Sequence, residues 1–465
     1  MMNRSQSSLF GDPVFKRFAT ERPIATVCQM ALRRLLEPDT VDRVFRENAG
    51  EQYERSLLFS GLTHLISSVV LGKQASVNAG FKKMKDKLGV SLNAVYEKLK
   101  RVEPNTSRHL LRESYARTIE VRQQIGGIAR HDLPGYTTRI LDGNCISASE
   151  HRLSETRAIR AAPLPGKSLV VYDPRHDAVV DFFPIEDGHA QERTAFDEVI
   201  ETLERNQLWI ADRNFCTLKL MYSIVRQGGV FLIRHHKNLH GSEKGKLKKI
   251  GETETGIVYE NKLELPTHDG ETITVRRVLI HLYEETRDGE VELVLLTNLP
   301  SEDGDALAVS ELYRTRWKIE TAFLHMTVAM NCEINALCYP KAALFCFANA
   351  LIAYNALSIV KGTIAVEHGR DQSEMLSHWY MLREIAETTD GMLIALPEEC
   401  WGDVATMSTK QFADELSSIS RDIDMKIYRK SVRGKKKPPP KKKGNKRTVH
   451  VSTKRILDKR KENSY

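Results

Sequence analysis

The chain has 465 residues, 41% of them hydrophobic, enough for buried cores in two to four domains. Its net charge of +8 is concentrated at one end: residues 433–465 carry 14 Lys/Arg against Asp458 and Glu462, whereas the preceding 432 residues hold 55 Lys/Arg and 59 Asp/Glu. The body is thus mildly acidic, which excludes general nucleic-acid affinity from overall charge and leaves only local patches.

In chain order, residues 1–130 read as helical. The opening MMNRSQSSLFGDPVFKRF lacks the apolar segment of a secretion signal, and a cytoplasmic protein is expected. Seven cysteines without a Cys-x-x-Cys pair fit a reducing compartment and argue against a zinc site. Apolar residues recur at helical spacing in IATVCQMALRRLL and ERSLLFSGLTHLISSVVL. ASVNAGFKKMKDKLGVSLNAVYEKLKRV reads as helix, glycine turn, helix, with Lys98, Lys100 and Arg101 at its end. A helix-turn-helix that reads DNA and a bundle with solvated lysines both fit that pattern.

Residues 131–234 hold strand candidates TTRILDG, SLVVYDP, AVVDFFPI, LWIAD and VFLIR, with a helix predicted at TAFDEVIETLERN. Hairpin strands followed by alternating helix and strand predict an α/β domain, a mixed sheet covered by helices. Residues 235–290 alternate in short runs broken by Gly, Asp and Asn, predicting a β-rich insertion that carries Lys244, Lys248, Lys249 and Arg276. Residues 291–365 return to the sheet, continue through one helix over Leu307–Asn331, and end in the apolar stretch 341–362. Asn349, Asn355 and Ser358 interrupt that stretch, so a buried helix, and no membrane span, is predicted. Residues 366–432 are again helical, and the basic tail 433–465 has the composition of a disordered segment. Its clustered charge suits DNA by counter-ion release.

Three acids stand out. Asp142 lies within a strand candidate, Asp212 ends another, and Glu320 closes Tyr313-x-x-Arg316-x-x-x-Glu320. At about 100° per residue those last three positions fall within about 60° of one helix face. Two strand-borne acids and a helical one can hold a pair of hard metal ions for phosphodiester chemistry. Singly, each has a plain explanation: Asp142-Gly143 as a hairpin turn, Asp212 as a helix cap, Glu320 as the i,i+4 partner of Arg316. Their joint order favours a site. Glu150, His151 and Arg152 read as a charged strand end.

With LDGN at Asp142, IADRNF at Asp212, TNLP at 297–300 and YRTRWKIE ending at Glu320, the chain resembles a DDE transposase of a bacterial insertion sequence. The group it resembles is the IS-four family, with its Tyr-Arg-Glu-Lys signature, and Thr327 stands at the lysine position. The resemblance implies a ribonuclease-H-like catalytic domain split by the insertion at 235–290. It implies two Mg²⁺ held by Asp142, Asp212 and Glu320, with Mn²⁺ as substitute, and phosphate contacts from Tyr313 and Arg316. It further implies cleavage at terminal inverted repeats, insertion into target DNA, a hairpin intermediate, and a homodimer in the synaptic complex. A defective or repurposed DNA-binding relative, or another ribonuclease-H-like nuclease, are the alternatives.

Overall fold

In the computed structural model, residues 9–50, 52, 56–127, 133–286, 289–431 and 450–463 are described. Seven helices run from residue 13 to 125: α1 (Pro13–Glu21), α2 (Pro23–Leu35), α3 (Pro38–Asn48), α4 (Phe59–Val70), α5 (Val77–Leu88), α6 (Leu92–Leu99) and α7 (Pro104–Ile125). Four of them, α1, α2, α3 and α7, start on proline, whose missing N–H costs nothing in a first turn. The Ser76 and Ser91 side chains cap α5 and α6, and Gly89, at φ +62°, makes the left-handed turn between them.

Next come β1 (Thr137–Cys145), β2 (Ala162–Leu164), β3 (Lys167–Asp173), β4 (Ala178–Ile185), α8 (Phe196–Ile200), β5 (Gln207–Ala211), α9 (Leu218–Arg226) and β6 (Val230–Arg234). Strands β4, β3 and β1 pair antiparallel, and β1, β5 and β6 pair parallel, in the order β4-β3-β1-β5-β6. That is the ribonuclease-H-like mixed sheet. All five strand candidates are present; the helix predicted over 194–206 is only the single turn and a half of α8.

The β-rich segment consists of β7 (Ser242–Glu252), β8 (Gly256–Glu264) and β9 (Thr274–Leu282), and β10 (Glu292–Thr297) comes next. It differs from the expected insertion in one respect. Strand β10 pairs antiparallel with both β6 and β9, so the segment prolongs the mixed sheet into nine strands, ending -β6-β10-β9-β8-β7. Its core is shared with the five-stranded part: Leu263, Leu265 and Val275 lie in one cluster with Leu141 and Trp209.

Helices α10 (Ala306–Arg314), α11 (Trp317–Ala329), α12 (Pro340–His368), α13 (Arg370–Glu374), α14 (His378–Ala395), α15 (Gly402–Thr406), α16 (Thr409–Arg421) and α17 (Met425–Tyr428) complete the body. Helix α12 is long and apolar enough to cross a bilayer, yet it is buried within the protein. Its interrupting polar residues explain the placement. Asn355 bonds Val179 N and O, Ser358 donates to the His176 carbonyl, and Asn349 accepts from Ser67 of α4. The predicted boundaries at 130 and 365 do not separate cores: one cluster runs from Leu9 through α12 to Tyr428 on one face of the sheet. On the other face, α8 and α9 cover Leu141, Trp209 and Phe231. Alternation along the strands supplies both, with Ile140 and Ile210 on the first face and Leu141 and Ala211 on the second.

The tail corrects another expectation. Residues 433–449 lie outside the described residues, but β11 (His450–Ser452) pairs parallel with β2 and α18 (Thr453–Glu462) follows it. Two arginines of α18 meet acids of the body: Arg455 lies 2.8 Å from Asp187, and Arg460 pairs with Glu155.

Candidate active site

Strand β1 runs unbroken through Asp142-Gly143, so the hairpin-turn reading fails there. A Cβ on Gly143 would lie 2.3 Å from Oε1 of Glu192, so that carboxylate would have to swing aside for any larger residue. The parallel register aligns Leu141 with Ala211. The next residue on each strand is therefore an aspartate, and Asp142 and Asp212 stand on strands about 4.8 Å apart. Asp212 lies one residue beyond the carboxyl end of β5, where parallel α/β sheets open to ligands.

Glu320 arrives from the first turn of α11. The predicted single helix over 307–331 is divided: α10 ends at Arg314, and Thr315 and Arg316 turn tightly before α11. Thr315 Oγ1 and the Arg316 N–H each bond a carbonyl three residues back, which closes the turn. Arg316 is placed there to bridge the acids. Its Nη1 lies 3.4 Å from Asp142 Oδ2 and its Nη2 lies 2.7 Å from Glu320 Oε1. The guanidinium also faces the rings of Trp317 at 5.0 Å and Tyr313 at 5.8 Å.

Electrostatics mark the cluster. Burial pushes the Asp142 carboxyl up to about 6; Arg316 and the Gly143 N–H pull it back, while Glu320 and Asp212 add repulsion. Oδ1 of Asp212 is buried without a hydrogen-bond partner; its nearest cation, Arg234, is 3.9 Å away. Burial also raises the Tyr313 phenol, whose Oη has no partner.

Among the described residues, no three His, Cys, Asp or Glu side chains are drawn to metal-ligating distance. Arg316 lies between Asp142 and Glu320, where its charge offsets their repulsion. The donor set still fits a hard divalent cation. It consists of carboxylate oxygens, one of them orphaned, and a raised Asp142 would ionise on meeting a second cation.

Of the predicted DNA contacts, Lys244, Lys248 and Lys249 lie on the exposed edge strand β7, where Lys244 pairs with Glu264 and Lys249 with Glu252. Arg276 is a correction. It is 8% exposed, pairs with Glu260 at 2.5 Å and donates to the Leu299 and Gly304 carbonyls. It anchors β9 to the loop before α10 and is not open to phosphate. On and just beyond α6, Lys98 sits over Phe45, Lys100 over Tyr339, and Arg101 lies 3.5 Å from Glu97. Thr327 bonds the Phe323 carbonyl of its own helix, and His325 turns inward to stack on His378 at 3.7 Å. Glu150 pairs with Arg152, a charged strand end as expected.

Sequence reading missed Arg234 and Glu290. Glu290 accepts from Arg234 and, at 2.8 Å, from Arg213, forming an ion-pair chain beside Asp212. The available signal was an arginine closing strand VFLIR next to the strand that ends in Asp212.

Residues 133–356 match the family described as Transposase DDE domain. Among solved structures, the chain is similar to that titled "Cryo-EM structure of piggyBac transposase synaptic complex with hairpin DNA". The identity is 13%, the TM-score is 0.38, and 90% of this chain and 88% of that one are covered. No curated protein matches. Asp142, Asp212 and Glu320 all fall inside the matched region.

Proposed function

We infer that this chain is a cut-and-paste transposase of an insertion sequence, of the IS-four type, cleaving and joining DNA at terminal inverted repeats. The observation that carries the reading is the convergence of Asp142 and Asp212 on adjacent strands with Glu320, tied through Arg316, inside the DDE domain. Asp142, Asp212 and Glu320 are the residues that would hold two Mg²⁺, or Mn²⁺ in their place. Bound there, the cations would stabilise charge on the scissile phosphate and favour ionisation of the attacking water or 3′-hydroxyl.

The chain's own residues do the rest. Arg316 exchanges its carboxylate partners for phosphate oxygens, which its planar fork binds in pairs. Tyr313, with a free Oη, offers a donor beside it. Lys244, Lys248 and Lys249 on β7, and Lys98, Lys100 and Arg101 at the α5–α6 unit, give the backbone contacts that hold an end in register. Two protomers on paired ends form the synaptic complex, in the bacterial cytoplasm where the nucleoid supplies target DNA. A repurposed DNA-binding relative is the second reading, favoured only by Thr327 at the lysine position.

The test uses a labelled duplex carrying the inverted repeats that flank the gene, with Mg²⁺ or EDTA, and wild type beside Glu320→Gln. Metal-dependent cleavage at the repeat boundary, absent from the variant, is the expected result. Cleavage that survives in the variant overturns the site assignment, and end binding without cleavage in any metal overturns the transposase reading.

A further inference from the structure

Helices α2, α4, α5 and α14 and the turn at Glu398–Trp401 frame an open-mouthed cavity of about 910 Å³. That volume falls within the range of small-ligand sites, about 300–1,000 Å³. It lies among helices that the DDE domain match does not include.

Leu32, Leu36, Met84, Leu88 and Leu393 supply apolar lining. The polar end is unfinished. Lys73 donates to Gln29 Oε1 at 3.2 Å and, among the described residues, meets no carboxylate within ion-pair distance. Desolvation pushes its ammonium down to about 8. Arg33 gives Nη1 and Nη2 to Glu398 at 2.5 and 3.1 Å and stacks on Trp401, but its Nε is buried without an acceptor. Thr63 lines the same cavity, and its Oγ1 is buried without a partner.

An ammonium, a guanidinium N–H and a hydroxyl can all donate, so what is absent is an acceptor. The cavity's charged groups do not quite balance: Arg33, Lys73, Lys83 and Lys87 face Glu37, Asp390 and Glu398, leaving one positive charge in excess. Lys83 is already held by Asp390. A cation desolvated without a counter-ion is costly, and an anion relieves that cost. A DNA strand would present a repeating backbone charge, which apolar walls do not match; a single anionic head on an apolar body matches both ends.

We propose that this cavity binds one small amphiphilic anion, a carboxylate or phosphate monoester on an apolar body. The head would lie on Lys73, Arg33 Nε and Thr63, and the body along Leu32, Leu36, Met84 and Leu88.

The full chain is titrated with 8-anilinonaphthalene-1-sulfonate, a fluorescent amphiphilic anion, and then with competitors. The expected result is saturable binding at one site per chain, displaced by decanoate or decyl phosphate and not by decyltrimethylammonium. The stronger of the two displacing anions identifies the natural headgroup. Lys73→Met, which keeps the stem and removes the charge, weakens binding about tenfold or more, the scale of losing a charge-assisted hydrogen bond. Should that variant not fold, hydrogen exchange on the wild type decides the matter. Decyl phosphate then protects residues 25–37, 59–89 and 390–405 and no other segment. Absence of saturable binding, equal displacement by the cation, unchanged affinity in Lys73→Met, or protection elsewhere overturns the proposal.

Discussion

The two halves of the sheet hold charge in different ways. In β4-β3-β1-β5-β6, helices cover both faces, and two acids lack full compensation: Asp142 is pushed up to about 6, and Asp212 Oδ1 has no partner. In the outer half the cover thins toward β7, which is exposed along its whole length and whose lysines sit beside glutamates of neighbouring turns and strands. Abundant charge on the outer half is individually cheap to remove. Scarce charge in the inner half is costly, the pattern expected of a functional site.

The contrast fixes an order of mutational effects. Neutralising the inner acids is the most severe: Asp142→Asn, Asp212→Asn or Glu320→Gln lowers end cleavage by about a thousandfold or more, with end binding nearly unchanged. Paired cleavage and gel-shift assays check this, and a neutral variant that still cuts breaks the comparison.

Arg316→Met leaves Asp142 and Glu320 facing each other. The expected loss is about 2 kcal/mol of stability in EDTA, shrinking once Mg²⁺ is added, together with a ten- to hundredfold fall in cleavage. Thermal melts with and without metal read the first part; equal destabilisation in both conditions would deny that a cation takes over the arginine's electrostatic role.

Arg276→Met in the outer half is expected to cost about 3 kcal/mol, because Glu260 and two carbonyls lose a buried partner. Urea unfolding measures it.

Asp177 gives the pH arm. Burial would raise this carboxyl, but Lys361 and the Tyr172 and Tyr354 hydroxyls outweigh burial and hold it well below its ordinary 3.8. A depressed acid contributes stability above its unfolded pKa and loses it as pH falls toward the folded value. Asp177→Asn is therefore about 2 kcal/mol less stable at pH 7, and the gap narrows below about pH 4. A constant gap from pH 7 to pH 3 contradicts the assignment.

Lys248→Ala, on the exposed edge, is the smallest effect. Stability stays within about 0.5 kcal/mol, and the slope of DNA affinity against salt falls by about one contact.

Much of the inner half was legible because its signals are local. Strand alternation in TTRILDG and LWIAD, a fixed order of acids, and Tyr313-x-x-Arg316-x-x-x-Glu320 suffice to nominate Asp142, Asp212 and Glu320. The outer half was legible as β but not in its attachment. That β10 seats beside β6 is a long-range pairing that periodicity does not encode. Nothing local distinguishes Arg276 from Arg277, yet one anchors β9 through Glu260 and the other reaches toward Glu243 at 3.7 Å. The terminal strand and helix were hidden by composition. Lysine density masked the Ser452 cap, and the acids that neutralise Arg455 and Arg460 lie more than 250 residues earlier.

The most direct measurement of the central claim is Mn²⁺ uptake by electron paramagnetic resonance, on the full chain bound to its end duplex. Two Mn²⁺ per chain are expected for wild type, with uptake reduced in Asp142→Asn and in Glu320→Gln while DNA stays bound. Equal Mn²⁺ uptake by wild type and both variants would show that these carboxylates do not hold the metal, and the active-site assignment would be wrong.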